Sequence, residues 1–210
     1  MYTLFYSPGS ASMAPHAALE ETGATYTLKR VDISAGKPRD PEYLKLNPLG
    51  RVPTLAIAGG DPVYEAAAIV MYLADRHPDA KLAPAASDPS RGLYYQWMTH
   101  LTNTLQEAYL LYFYSDRNTT RPEQAPGIKD KAIERVDSVW SNLDQALGRR
   151  GPYLLGDRFS AADLYLQMLY SWHEPPERLA ARCPNVKRCV DLVVQRPAVK
   201  RMLQQNDMAA

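Results

Sequence analysis

Short apolar runs punctuated by turn residues fill the first third of the chain, and apolar positions at helical spacing fill the rest. "YTLFY" at 2–6 and "YTLKRVDI" at 26–33 have the aromatic and β-branched content of strands. Between them, 13–22 predicts a helix that Gly23 ends. "VPTLAI" at 52–57 predicts a third strand, and "DPVY" at 61–64, after Gly59-Gly60, a short fourth. "EAAAIVMYLADRH" at 65–77 then predicts a helix stopped by Pro78. Strands interleaved with helices in this order predict a compact α/β domain over 1–82. "APAASDP" at 83–89 is small, polar and proline-flanked, as a linker is.

Strand signals vanish after the linker, which predicts an all-helical domain over 90–210. Residues 90–114 form a long aromatic-rich helical stretch. In 128–147, Ile128, Ala132, Val136, Val139, Trp140, Leu143, Ala146 and Leu147 recur at helical spacing, with Gly148 as the predicted stop. "FSAADLYLQMLYSWH" starts another helix, with Ser160 and Asp163 spaced as a capping box. A further helix runs from Pro184 to about Gln195, and a short one follows Pro197.

Composition narrows the class. Twenty-four basic against 23 acidic residues leave a net charge of +1, so nothing points to nucleic acid or an anionic membrane surface. No apolar run is long enough to cross a bilayer, and the N-terminus does not read as a secretory signal. Two cysteines, Cys183 and Cys189, argue against a disulfide scaffold and for a reducing cytoplasm. The four histidines stand far apart, without metal-ligand spacing, so no metal is expected.

Three stretches carry candidate chemistry. "SPGSASMAPH" at 7–16 sets hydroxyls and free amides at a helix start, which suits either a simple cap or an anion or thiolate site. In "NPLGRVPTL", a cis bond before Pro53 would leave the Val52 N–H and C=O free for an extended peptide-like ligand. The alternative is an edge strand that begins with proline. In "VYEAA", Glu65 and the bare amides after it suit an ammonium and a carboxylate together, or merely improve a first turn.

Taken in this order, "LFYSPGSASMAPHAALEETG", "NPLGRVPTL", "VYEAAAIVMYLADR" and "GDRFSAADLYL" resemble the cytosolic glutathione S-transferase superfamily, most closely its bacterial beta class. The resemblance covers essentially the whole chain. It implies a thioredoxin-like N-terminal domain, an all-α C-terminal domain, glutathione as co-substrate and a homodimer. It implies that Val52 holds the cysteinyl backbone of glutathione beside a cis Pro53. Glu65 would take the γ-glutamyl ammonium, and the Ala66 N–H its carboxylate. Lys37 and Arg51 would approach the glycyl carboxylate, and Asn103 and Thr104 would reach the neighbouring protomer's glutathione. Tyr109, Tyr112, Phe113 and Trp172 would line the site of a hydrophobic electrophile, the alternative for most of the aromatics in "YLLYFY" being core packing.

The chain departs from the beta class where that class has its first-turn cysteine, here Ala11. Ala66 replaces the usual Ser or Thr, and Gln106 and Glu107 replace a His-Lys pair. Activation of the glutathione thiol then falls to a hydroxyl, with Ser10, Ser12 and Tyr6 the candidates. Two other functions stay open: glutathione-dependent reduction of disulfides or peroxides, and ligand binding without catalysis.

Overall fold

The computed structural model describes the chain apart from residues 35, 36, 38, 174, 209 and 210. The chain forms two compact units. One comprises Met1–Asp88 with the residues from Leu192 onward, the other Pro89–Asp191.

The first unit is built on β1 (Tyr2–Tyr6), β2 (Tyr26–Arg30), β3 (Thr54–Ile57) and β4 (Val63–Tyr64), in sheet order β2-β1-β3-β4. β1 pairs parallel with β2 and antiparallel with β3, and β3 pairs antiparallel with β4. Leu4 faces Leu55 in register, and both are fully buried. α1 (Met13–Thr22) ends at Gly23 in the left-handed region, as its sequence requires. Its small residues Ala14, Ala17 and Ala18 allow close packing against α3 (Ala66–Arg76) and α10 (Pro197–Gln205).

Three strands are shorter than their sequence pattern predicts, β4 keeping only Val63–Tyr64 of 61–64. β2 stops at Arg30 because β1 stops opposite at Tyr6, leaving only the Val31 N–H to donate to the Tyr6 carbonyl. β3 starts at Thr54, after a cis Val52–Pro53 bond. A helix without apolar periodicity, α2 (Pro41–Leu46), begins on an Asp40 carboxylate that accepts from the Glu42 N–H at 2.9 Å.

In the second unit, the stretch after the linker is one helical path with a change of winding. α4 (Arg91–His100) and α5 (Glu107–Phe113) are joined by a π-helical segment, Leu101–Gln106. α6 (Ala125–Arg150) buries Ala132, Val136, Val139, Trp140, Leu143 and Leu147. It runs through Gly148 and ends at Gly151, so Gly148 is no stop. A Cβ at Gly148 would lie 3.0 Å from the Asn185 amide, so the glycine admits the start of α9 (Pro184–Val194). There the Asp144 carboxylate accepts the Asn185 and Val186 N–H groups at 2.7 and 3.0 Å. Ser160 and Asp163 form the capping box of α7 (Ala161–Tyr170), the Asp163 carboxylate accepting the Ser160 N–H at 2.8 Å. The short α8 (Pro176–Arg182) is clipped to α6 by Arg178 and Arg182 on Asp137.

Candidate functional site

The sheet register delivers the candidate residues of the first unit to one edge. Tyr6 ends β1 opposite Arg30 at the end of β2, and Phe5 faces Thr54 at the start of β3. Thr54 in turn faces Tyr64 at the end of β4. The serine turn after β1, the Val52-Pro53 bond before β3 and Glu65 after β4 therefore neighbour one another. Lys37 lies by the same edge, since Arg39 donates to both the Lys37 and the Gly50 carbonyls.

In the serine turn, Ser10 and Ser12 form a closed hydroxyl cluster with the Ser7 carbonyl. Ser10 Oγ lies 2.6 Å from that carbonyl and 2.7 Å from Ser12 Oγ, and Ser12 Oγ is 2.9 Å from it. Three oxygen contacts thus share two protons. The Ser7 carbonyl also accepts the Ser10 N–H at 3.3 Å, and Ser10 Oγ accepts the Ser12 N–H at 3.2 Å. Ser12 is fully buried, whereas Ser10 is half-buried in the turn. Tyr6 is half-buried, edge-on to His16 at 6.2 Å, and its hydroxyl bonds no described residue. Ala11 is half-buried between the two serines.

His16, behind Tyr6, is a packed core histidine. The Asn206 amide donates to its Nδ1 at 3.0 Å, and its Nε2–H donates to the Tyr26 hydroxyl at 3.1 Å. Tyr26 passes its own proton towards the Glu20 carboxylate, which fixes this direction of donation. Burial lowers the His16 pKa to about 4, the nearby Glu20 opposing only in part.

The second stretch holds a bare backbone edge. Among the described residues, neither the Val52 N–H nor its C=O has a hydrogen-bond partner. Buried Asn47 supports this edge by donating to the Arg51 carbonyl at 2.9 Å and to Thr54 at 3.0 Å, and Tyr43 donates to the same carbonyl. The Arg51 side chain is exposed and bonds no described residue. Lys37 is paired with Asp32 at 2.5 Å, and this bond holds the Asp32 carboxyl well below the usual carboxylate range. Arg39, which carries no sequence motif, donates to four backbone carbonyls around this edge.

Glu65 sits at φ 71°, in the region that L-residues avoid, immediately before α3. Such strain amounts to about 1–3 kcal/mol and persists where the surroundings enforce it. Its carboxylate is exposed and caps nothing, and the first intrahelical bond is Ile69 N–H to the Glu65 carbonyl. The Ala66, Ala67 and Ala68 amides before it point out of the helix start unbonded among the described residues. A free acid beside free amides can take a zwitterion.

The second unit rearranges the aromatic candidates. Tyr109 is a core residue, 1% exposed, and its hydroxyl accepts from Trp140 Nε1 at 2.9 Å and meets His173 Nδ1 at 3.1 Å. It is therefore unavailable as pocket lining, and burial raises its pKa. Phe113 stacks on Tyr109 and is exposed, with half-buried Tyr112 and Trp172 beside it. Gln106 is held by the Tyr165 hydroxyl. Asn103 and Thr104 line a shallow groove with Tyr95, Gln96 and His100. Cys183 and Cys189 are buried, and burial pushes the Cys183 thiol up to about 11.

Residues 1–75 match the family model of the glutathione S-transferase N-terminal domain, and residues 103–206 that of the C-terminal domain. The chain is 28% identical over 201 residues to glutathione S-transferase GstA of Escherichia coli, covering 95% of this chain and 96% of that one. It is 32% identical to a sphingomonad glutathione S-transferase solved with glutathione, with a TM-score of 0.84 and 99% and 100% of the two chains covered. It is 31% identical to the beta-class glutathione S-transferase of Sphingomonas chungbukensis, with a TM-score of 0.82 and the same coverage. The chain belongs to the glutathione S-transferase family.

Proposed function

We propose that this chain binds glutathione along the Val52 edge and transfers its thiolate to apolar electrophiles. The observation that carries the reading is Glu65, held at φ 71° with its carboxylate and the following amides uncommitted. In this reading Glu65 takes the γ-glutamyl ammonium, the Ala66 amide its carboxylate, and Val52 the cysteinyl backbone beside Pro53. Arg51 takes the glycyl carboxylate, while Lys37, engaged by Asp32, contributes less.

The thiolate is the nucleophile, and a thiol of pKa about 8.5 is only a few per cent ionised at neutral pH. Lowering it by about 2 units takes about 2.7 kcal/mol of differential stabilisation. A hydroxyl donor to a charged group supplies about 1.5–3 kcal/mol and a helix N-terminus about 0.3–1 kcal/mol. Ser10, the more accessible hydroxyl, donates to sulfur. Ser12 stands behind it and donates to Ser10 Oγ across 2.7 Å, polarising it. The Ser7 carbonyl then keeps its bond from the Ser10 N–H. Tyr6, with no partner for its hydroxyl among the described residues, is the second donor. The electrophile rests on the Tyr112, Phe113 and Trp172 face, and the chain works as a cytoplasmic homodimer with Asn103 and Thr104 at the shared face. The unit of Met1–Asp88 with α10 supplies the glutathione site, and Pro89–Asp191 the electrophile site.

A binding-only reading draws on the same cluster, because both serine protons are already engaged internally. Titration of glutathione by calorimetry, followed by turnover of an aryl halide, separates the two. Binding with a lowered thiol pKa and turnover is expected. Binding with an unshifted thiol and no turnover would establish the carrier instead.

A further inference from the structure

We infer that Arg39 is a positioning residue for glutathione, its guanidinium clamping the connection after β2 onto the turn that presents Arg51 and Val52. Arg39 Nε donates to the Gly50 carbonyl at 2.9 Å. Nη1 donates to the Asp32 and Lys37 carbonyls, each at 3.1 Å, and Nη2 to that of Ile33 at 3.1 Å. One side chain thus ties two separate segments together at the residue immediately before Arg51. The local backbone is shaped to receive it. Gly50 is buried at φ 61°, and a Cβ there would lie 3.0 Å from Arg39 Cγ and 3.2 Å from Leu44 Cδ2. A side chain there would sit in strained backbone and oblige the arginine stem to give by a few tenths of an ångström.

All four acceptors are neutral carbonyls. Among the described residues, no carboxylate pairs with Arg39, since Asp32 is taken by Lys37 and Asp40 caps α2. The guanidinium charge therefore adds to that of Arg51 instead of being cancelled, on the side where the glycyl carboxylate would lie. Only a planar fork with several donors spans these carbonyls; a lysine, with one nitrogen, keeps the charge and loses the span. The Arg39 hydrogen bonds all end on the two backbone segments it ties, and none reaches the serine turn that would hold the sulfur. Removal of the clamp should weaken binding and leave the bound thiolate as reactive as before.

This inference rests on the glutathione reading, and the test separates them. Glutathione affinity by calorimetry, KM and kcat with an aryl halide, and Tm are measured for the wild type, Arg39→Lys and Arg39→Gln. The expected result is a rise of roughly tenfold or more in Kd and in KM for glutathione in both variants, the size set by lost charge-assisted hydrogen bonds. kcat should stay within about twofold, because interactions made equally in ground and transition states affect KM alone. Arg39→Lys, the milder change, keeps the test open should Arg39→Gln fold poorly. Wild-type affinity in Arg39→Lys would reduce the role to bare charge and overturn the clamp. Unchanged affinity in both, or kcat falling in step with Tm, would overturn it as well. A wild type that binds no glutathione overturns both this inference and the reading beneath it.

Discussion

Ser10 and Ser12 have two protons to distribute over three oxygen contacts, and burial decides which of them can turn outward. Ser10→Ala is expected to raise the pKa of bound glutathione by about 1–2 units, the equivalent of one hydrogen bond to a charged group. Ser12→Ala, which in the proposed arrangement removes the polarising donor and also the acceptor of the Ser7 N–H, should raise it by less than half as much. Absorbance of the thiolate across a pH titration reads both values, and equal shifts would place Ser12 in direct contact instead. Glu65→Gly separates strain from function. Glycine accepts φ 71° freely, so Tm should hold or rise while glutathione affinity drops for want of the acid. Reduced stability with unchanged affinity would remove Glu65 from the site. The motif positions were legible in the sequence because cis proline, a helix-start acid and a serine-rich turn are local features. The hydroxyl cluster was not, since no spacing encodes a 2.7 Å oxygen contact. Core packing of the aromatics in "YLLYFY" was legible as an alternative, but not which of them packs, since Tyr109 and its neighbours look alike by residue type.

α1 buries His16 and α7 buries Asp163, with opposite consequences. His16 has its pKa depressed to about 4 by burial, so its contribution is present above the unfolded value near 6.5 and disappears as pH falls towards 4. Asp163 in the α7 capping box is raised by burial to about 6, so its ionised form opposes folding at neutral pH and the opposition fades on acidification. Denaturant unfolding at pH 7 and pH 5 should show this. His16→Gln is expected to lose about 2 kcal/mol less than wild type over that interval, and Asp163→Asn about 1 kcal/mol more. Identical slopes for all three proteins would refute the assignment. Long amphipathic elements such as α6 were legible from their apolar stripe. α2 and α8, of six and seven residues, are too short to show periodicity. The π-helical segment was hidden because a single shifted hydrogen-bond register leaves no mark on residue spacing.

For the molecule as a whole, ligand and stability are linked. Glutathione at about 100 times its Kd should add about 2.7 kcal/mol, which for a chain of this size raises Tm by about 5–10 °C. A thermal scan showing no shift would count against a preformed site. The two-domain reading of the sequence placed the last helix with the helical half, because nothing in a periodic stretch names its partner. α10 instead belongs to the first unit, where Arg196 and Arg201 pair with Glu21 and Glu20, Asn206 meets His16, and Val199, Met202 and Leu203 are buried. This arrangement sets a schedule for the nascent chain. The strands and α1 leave the ribosome first, yet the surface that completes them is encoded last, after the whole of Pro89–Asp191. From Thr22 to Pro197 the chain grows by 175 residues, which at about 5–20 residues per second takes roughly 9–35 s, during which the face of α1 that α10 covers is uncovered. Shielding by chaperones over that interval follows, and so does the failure of a fragment ending at Asp88 to fold unless α10 is supplied as a separate peptide.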